Sequence, residues 1–372
     1  MTLSTPKKLV GITAAAGLLV ALAGCGSAPD AGGNSSAAPE GAGGDFLPCL
    51  VSDEGGWNDR SFNQSAKEGM DRAKAELGVE AKEVESTTEN DYAPNLDTLV
   101  AEGCDLIVAV GYKLAPAVVA SATANPEIDY AIVDDYADTD FDGKTDAPNI
   151  KPLVFNTAEA AYLGGYAAAS WSAAAGVNKV GTFGGDKFNS VTVFMDGFQL
   201  GVEKYNEDKS ANVGVVGWDI TAQDGNFTGG FTANDTAKQV AQGILGQGVD
   251  VILPVGGPIY QSAAQAIREG SRDVVMLGVD SDLAVSDDTV ADLTLVSIQK
   301  AIDVAVYDAT IAAQGGDFDT TPYVGTLKNE GVKLSSFHDF ESRLPAGLTD
   351  ELTALQEAIV AGTIVVDSPN SP

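Results

Sequence analysis

Apolar runs of strand length alternate with helical segments along most of this 372-residue chain, and that alternation constrains the fold more than any other feature. Residues 46–52, 79–84, 104–111 and 130–135 read as strands, and 66–77, 94–102 and 114–124 read as helices between them. A long alanine-rich helix at 158–175 leads into a second set. Its strands are 179–185, 212–218, 249–255 and 274–280, and its helices are 190–205, 234–245 and 260–268. Such alternation predicts parallel sheets joined by right-handed crossovers. The expected class is α/β: two lobes, each a doubly wound and mostly parallel sheet flanked by helices, with a hinge of about three crossings between them. Residues 290–298 are read as crossing back to the first lobe and feeding a helix at 300–313. This assigns 45–155 and about 282–315 to the first lobe, and 156–281 and about 316–372 to the second. One large doubly wound enzyme domain is the competing architecture.

The stretch Asp53-Glu54-Gly55-Gly56-Trp57-Asn58-Asp59-Arg60-Ser61-Phe62-Asn63 joins the first strand to the first helix. Open α/β sheets bind ligands at such strand-to-helix loops. Asp59 and Ser61 are both candidate helix caps, which leaves backbone donors aimed at the loop. Phe62 offers a flat apolar face, and Asp53, Asp59 and Asn63 offer directional polar groups. That mixture suits a small, planar, hydrogen-bonding ligand.

Composition excludes several classes. The chain carries 53 Asp and Glu against 21 Lys and Arg, a formal charge of −32. Such a surface repels phosphate backbones, which argues against nucleic-acid partners and, more weakly, against a phosphorylated ligand. A single histidine, His338, leaves almost nothing for His-based triads or His-containing metal sites. No nucleophile elbow, Walker loop or dinucleotide fingerprint occurs, so neither an enzyme nor a cofactor is expected. Asp138-x-Asp140-x-Asp142-Gly143 matches the first half of a calcium loop, but Asn149 stands where the bidentate glutamate belongs. A solvated acidic turn is the favoured reading, and no metal site is assigned.

The N-terminus reads as an address. Lys7 and Lys8 precede an apolar run at 9–23, and Leu22-Ala23-Gly24-Cys25 resembles a bacterial lipobox. The expectation is a signal peptide over 1–24, lipidation of Cys25 and a flexible tether over 25–44. Cys49 and Cys104 each begin a predicted strand; a disulfide between them and two buried thiols both stand open.

The order Asp-x-Gly-Gly-x-x-Asp-x-Ser-Phe-Asn at 53–63 resembles the opening motif of the basic-membrane-protein family, the purine-nucleoside-receptor-like substrate-binding lipoproteins of ABC importers. The resemblance extends to Cys104–Gly111, Lys179–Gly185, Phe194–Gly201, Pro254–Gly257, Gly278–Asp282, Ser297–Lys300 and Gly362–Val366. It implies a type I periplasmic-binding-protein-like fold that closes on a purine nucleoside and hands it to a membrane permease. It also implies a monomer, held at the extracytoplasmic face of the cell membrane by its lipid anchor. Phe62 would stack on the base, and Asp53, Asn63 and Asp134 would bond its polar edges. Asp280 would take ribose hydroxyls, with Lys300 donating to the sugar or holding Asp280, and Gly256 would lie in a cleft loop. The second aromatic wall falls to Trp218, Phe227 or Phe231, with Phe231 taken as the site residue. Local roles stand beside these: Asp134 as a helix cap, Asp280 as a turn residue, Lys300 as a solvated first-turn cation. Other nucleosides, riboflavin or a sugar are the alternative ligands. A sensing accessory to a signalling receptor and a secreted nucleoside hydrolase are the alternatives of another class.

Overall fold

The computed structural model describes residues 46–372. The expected signal peptide, Cys25 and the tether lie outside the described residues. Two six-stranded sheets form the frame. The first begins with β1 (Pro48–Ser52), β2 (Lys82–Val84), β3 (Leu106–Val110), β4 (Asp129–Val133) and β5 (Ile150–Phe155). The second begins with β6 (Lys179–Gly184) and β7 (Gly214–Val216); a small hairpin of β8 (Trp218–Asp219) and β9 (Asp224–Gly225) follows β7. β10 (Val251–Val255), β11 (Val275–Asp280) and β12 (Thr294–Lys300) continue that second sheet. β13 (Tyr323–Gly325) then joins the first sheet and β14 (Val332–Leu334) the second.

Strand order is β2-β1-β3-β4-β5-β13 in one sheet and β7-β6-β10-β11-β12-β14 in the other, so the same winding occurs twice. All pairs are parallel except β12 with β14. In each sheet the order reverses beside its first strand, at β1/β3 and β6/β10, and such switch points open a crevice at the strand C-termini.

Side chains alternate between the faces of each strand. Leu50, Val108 and Ala131 face one way, into a core shared with the second half, whereas Cys49, Ile107, Ala109 and Tyr130 face the other. Helices α1 (Phe62–Leu77), α2 (Tyr92–Ala101) and α3 (Ala115–Ala124) serve the first sheet. The second has α4 (Thr157–Ala174), α5 (Asn189–Lys209), α6 (Asp235–Leu245), α7 (Ile259–Glu269) and the short α8 (Leu283–Ser286). α9 (Ile302–Gly315) packs on α1, and α10 (Leu348–Val360) packs on α4. Cys49 in β1 and Cys104, two residues before β3, form a disulfide, Cα to Cα 6.0 Å.

The chain passes between the halves at Asn156, at Ala301 and over 326–331. These passages are bonded together: Asn156 N–H donates to Gly325 O at 2.7 Å, and Ala301 N–H to Gly331 O at 2.9 Å. The second passage departs from the expected boundaries. Residues 294–300 are buried almost throughout and pair with β11 on one side and β14 on the other, the setting of an interior strand. The crossing back therefore comes at Ala301, and Lys300 ends a strand where a helix start was expected. β13, expected with the second lobe, extends the first sheet beside β5.

Candidate ligand-binding cleft

All nine residues expected from sequence as site residues line one cleft between the two sheets. Asp53, Asp59, Phe62 and Asn63 come from the β1–α1 connection, and Asp134 follows β4. From the second half come Phe231, Gly256, Asp280 and Lys300. Both switch points thus open onto the same space. Phe62 and Asn63, expected in the loop, occupy the first turn of α1.

Asp59 sets that turn. Its carboxylate accepts the backbone N–H groups of Ser61, Asn63 and Gln64 at 3.0, 2.8 and 3.0 Å, so it caps α1 through its side chain while Ser61 does not. The Ser61 hydroxyl instead bonds Val279 O at 3.0 Å and Asp280 Oδ2 at 3.2 Å, across to the other half. Asn63 Nδ2 donates to Asp53 Oδ1 at 2.7 Å and to Asp59 Oδ2 at 3.3 Å. Two carboxylates on the amide nitrogen fix its orientation, since carboxylates accept. Asn63 Oδ1 then has no hydrogen-bond partner among the described residues, although the side chain is buried.

Lys300 is buried between Asp134 Oδ2 at 2.5 Å and Asp280 Oδ1 at 3.5 Å. Its ammonium also stands 5.0 Å from the Phe194 ring centre and 5.5 Å from that of Phe62. Asp134 and Asp280 share a left-handed backbone, φ +67° and +66°, one just past the end of β4 and the other at the end of β11. That conformation is uncommon outside glycine, and Asp is among the residues that tolerate it. The left-handed backbone fits the local role of Asp280 as a turn residue, whereas Asp134 bonds Lys300 and Lys300 is a buried cation at a strand end.

Burial pushes the Asp53, Asp59 and Asp134 carboxyls up to about 6, only partly offset by Asn63 at Asp53, by backbone N–H groups at Asp59 and by Lys300 at Asp134. Burial alone would lower the Lys300 ammonium, but Asp134 and Asp280 outweigh it and hold it above its ordinary range.

Phe231 is the aromatic residue of its segment that reaches the cleft. Trp218 is buried with its indole N–H on Asp196 at 2.9 Å, and Phe227 packs edge-on against it. Residues 226–230 hydrogen-bond to Gly184 and Gly185 at the end of β6, which carries Phe231 to the cleft. Gly256 has φ +142°, and a Cβ there would stand 2.7 Å from the Phe231 ring. Sequence reasoning missed Tyr112, Ser190, Val191 and Phe194. Tyr112 follows Gly111 at the end of the buried strand β3, and the strand-end rule that located the first loop would have found it. In the acidic turn, Asp138, Asp140 and Asp146 bring ligand-type oxygens within 4.8 Å of one another, whereas Asp142 turns to Lys144.

Residues 48–368 match the model of the Bmp family, described as ABC transporter substrate-binding protein PnrA-like. The chain belongs to this family. Among Bmp-family relatives, the CD4+ T-cell-stimulating antigen of Listeria monocytogenes is 32% identical, over 88% of this chain and 89% of its own. The ABC transporter nucleoside-binding protein BmpA of Lactococcus lactis is 28% identical, over 97% and 99%. A crystal structure of an ABC transporter solute-binding protein from Aeropyrum pernix superposes with a TM-score of 0.72 at 26% identity, covering 86% of this chain and 93% of that one. This Bmp-family chain is therefore an extracytoplasmic substrate-binding protein of an ABC transporter and not an enzyme, working with a small-molecule ligand and a permease. Among the described residues no helix is long and apolar enough to cross a membrane.

Proposed function

We propose that the chain captures a purine nucleoside in this cleft, as a monomer tethered outside the membrane by a lipid on Cys25, and passes it to its permease. The observation that carries the reading is the lining itself: aromatic rings at Phe62 and Phe231, and an otherwise acceptor-rich wall of Asp53, Asp59, Asn63 Oδ1, Asp134 and Asp280. A flat base fits between rings, where stacking contributes about 1–3 kcal/mol. Its N–H groups answer carboxylates and an unpaired carbonyl, and ribose hydroxyls answer Asp280. The same acceptors repel a phosphate, so a nucleoside fits better than a nucleotide. The name of the Lactococcus lactis relative agrees with this choice. Lipidation rests on the Leu22-Ala23-Gly24-Cys25 pattern.

Thermal unfolding of the chain from Gly26 onward, with adenosine, guanosine, inosine, cytidine, riboflavin and ribose, tests the assignment. A ligand at 100 times its Kd adds about 2.7 kcal/mol, a readable shift. A shift with purine nucleosides that Phe62→Ala removes supports the reading. A shift with ribose or riboflavin alone overturns it.

A further inference from the structure

At the rim of the cleft, two consecutive residues of the first half reach across to the second, Tyr112 from the lining itself and Lys113 from just outside it. The Tyr112 ring lies flat on Phe188, centres 3.7 Å apart and planes 9° from parallel, and meets the edge of Phe231 at 6.3 Å. Its hydroxyl donates to Asp186 Oδ2 at 3.3 Å. Lys113 Nζ is held on its own side by Glu54 at 2.8 Å and Glu89 at 3.3 Å, and reaches Asp186 at 3.0 Å on the other. Lys113 is not part of the cleft wall.

Charge makes this arrangement consequential. Glu54 and Glu89 face Asp186 across the gap, in a chain of formal charge −32. Like charges brought together oppose closure, and one half-buried ammonium among three carboxylates converts that repulsion into attraction. The Tyr112–Phe188 stack adds an apolar contact that requires the halves to be shut.

We propose that Tyr112 and Lys113 form a latch that stabilises the closed form by contacts between the two halves that need no ligand in the cleft. The latch shifts the open–closed balance and so sets how long a captured ligand stays, since a ligand's apparent affinity scales with the fraction of competent conformer. The inference rests on the cleft being the capture site, whatever its ligand.

The test uses the full chain with Cys25→Ser, spin-labelled at Thr98→Cys and Gln242→Cys, one exposed position on each half. Distances between the labels are measured without ligand. Lys113→Met and Phe188→Ala should each lower the closed-to-open ratio by roughly tenfold, Lys113→Arg should restore most of it, and Lys67→Met, which loses an ion pair within the first half, should leave it unchanged. Equal ratios in wild type, Lys113→Met and Phe188→Ala overturn the latch, as does a ligand-free wild type with no closed population. Because no ligand is present, a failure of inosine to bind in a parallel assay counts against the nucleoside reading and not against the latch.

Discussion

Lys300 Nζ stands 2.5 Å from Asp134 Oδ2, both side chains buried, although Lys300 ends a strand of the second sheet and Asp134 follows a strand of the first. One ion pair therefore ties the halves together inside the cleft. Lys300→Met leaves a buried carboxylate unpaired and should destabilise by about 3–5 kcal/mol in urea unfolding. Adding Asp134→Asn should recover much of that loss, because both charges are then gone. A single variant as stable as wild type would contradict the pairing.

The pH response has a defined sign. The Asp53 and Asp59 carboxyls are raised from 3.8 to about 6 by burial, so the folded chain holds their protons more tightly than the unfolded one. Their contribution to stability is fully present below about 3.8 and is lost as pH rises through about 6. Asp53→Asn should flatten the fall in unfolding free energy between pH 4 and 7 relative to wild type. A ligand that donates to these carboxylates favours their charged form, so its binding should tighten as pH rises from about 5 to 7, measurable by calorimetry at several pH values.

Phe231 and Phe62 can be separated by mutation. Phe62→Ala should weaken nucleoside binding by about 1–3 kcal/mol. Gly256→Ala, at another lining residue, forces alanine into a positive-φ backbone and pushes the Phe231 ring out of place. It should weaken binding and lower the unfolding midpoint together, whereas Phe62→Ala should mainly affect binding.

Reduction should be felt in the first half. The Cys49–Cys104 bridge closes a loop with a sequence separation of 55, and its loss should cost about 2–4 kcal/mol. Dithiothreitol or Cys104→Ser should lower the unfolding midpoint accordingly, and reductant should add nothing to the variant.

Much of this was legible along the chain, for identifiable reasons. Runs such as 104–111 announce interior strands because parallel strands are covered on both faces, and the dense polar pattern around Phe62 marks a strand-end loop. The path between the halves was harder to read. Residues 294–300 carry a strand pattern that fits either sheet, and only pairing with β11 and β14 decides between them. The choice among Trp218, Phe227 and Phe231 was similarly hidden, since the carboxylate that claims the Trp218 indole, Asp196, lies a helix away in sequence. Lys113 had no local signal at all: its importance comes from Asp186, which belongs to the other half.

The three passages at Asn156, Ala301 and 326–331 have one more consequence. A protease that cuts one of them leaves the halves covalently joined through the other two, and hydrogen bonds from Asn156 to Gly325 and from Ala301 to Gly331 splint the break. For a protein working outside the cell, a nick at the hinge need not release either half.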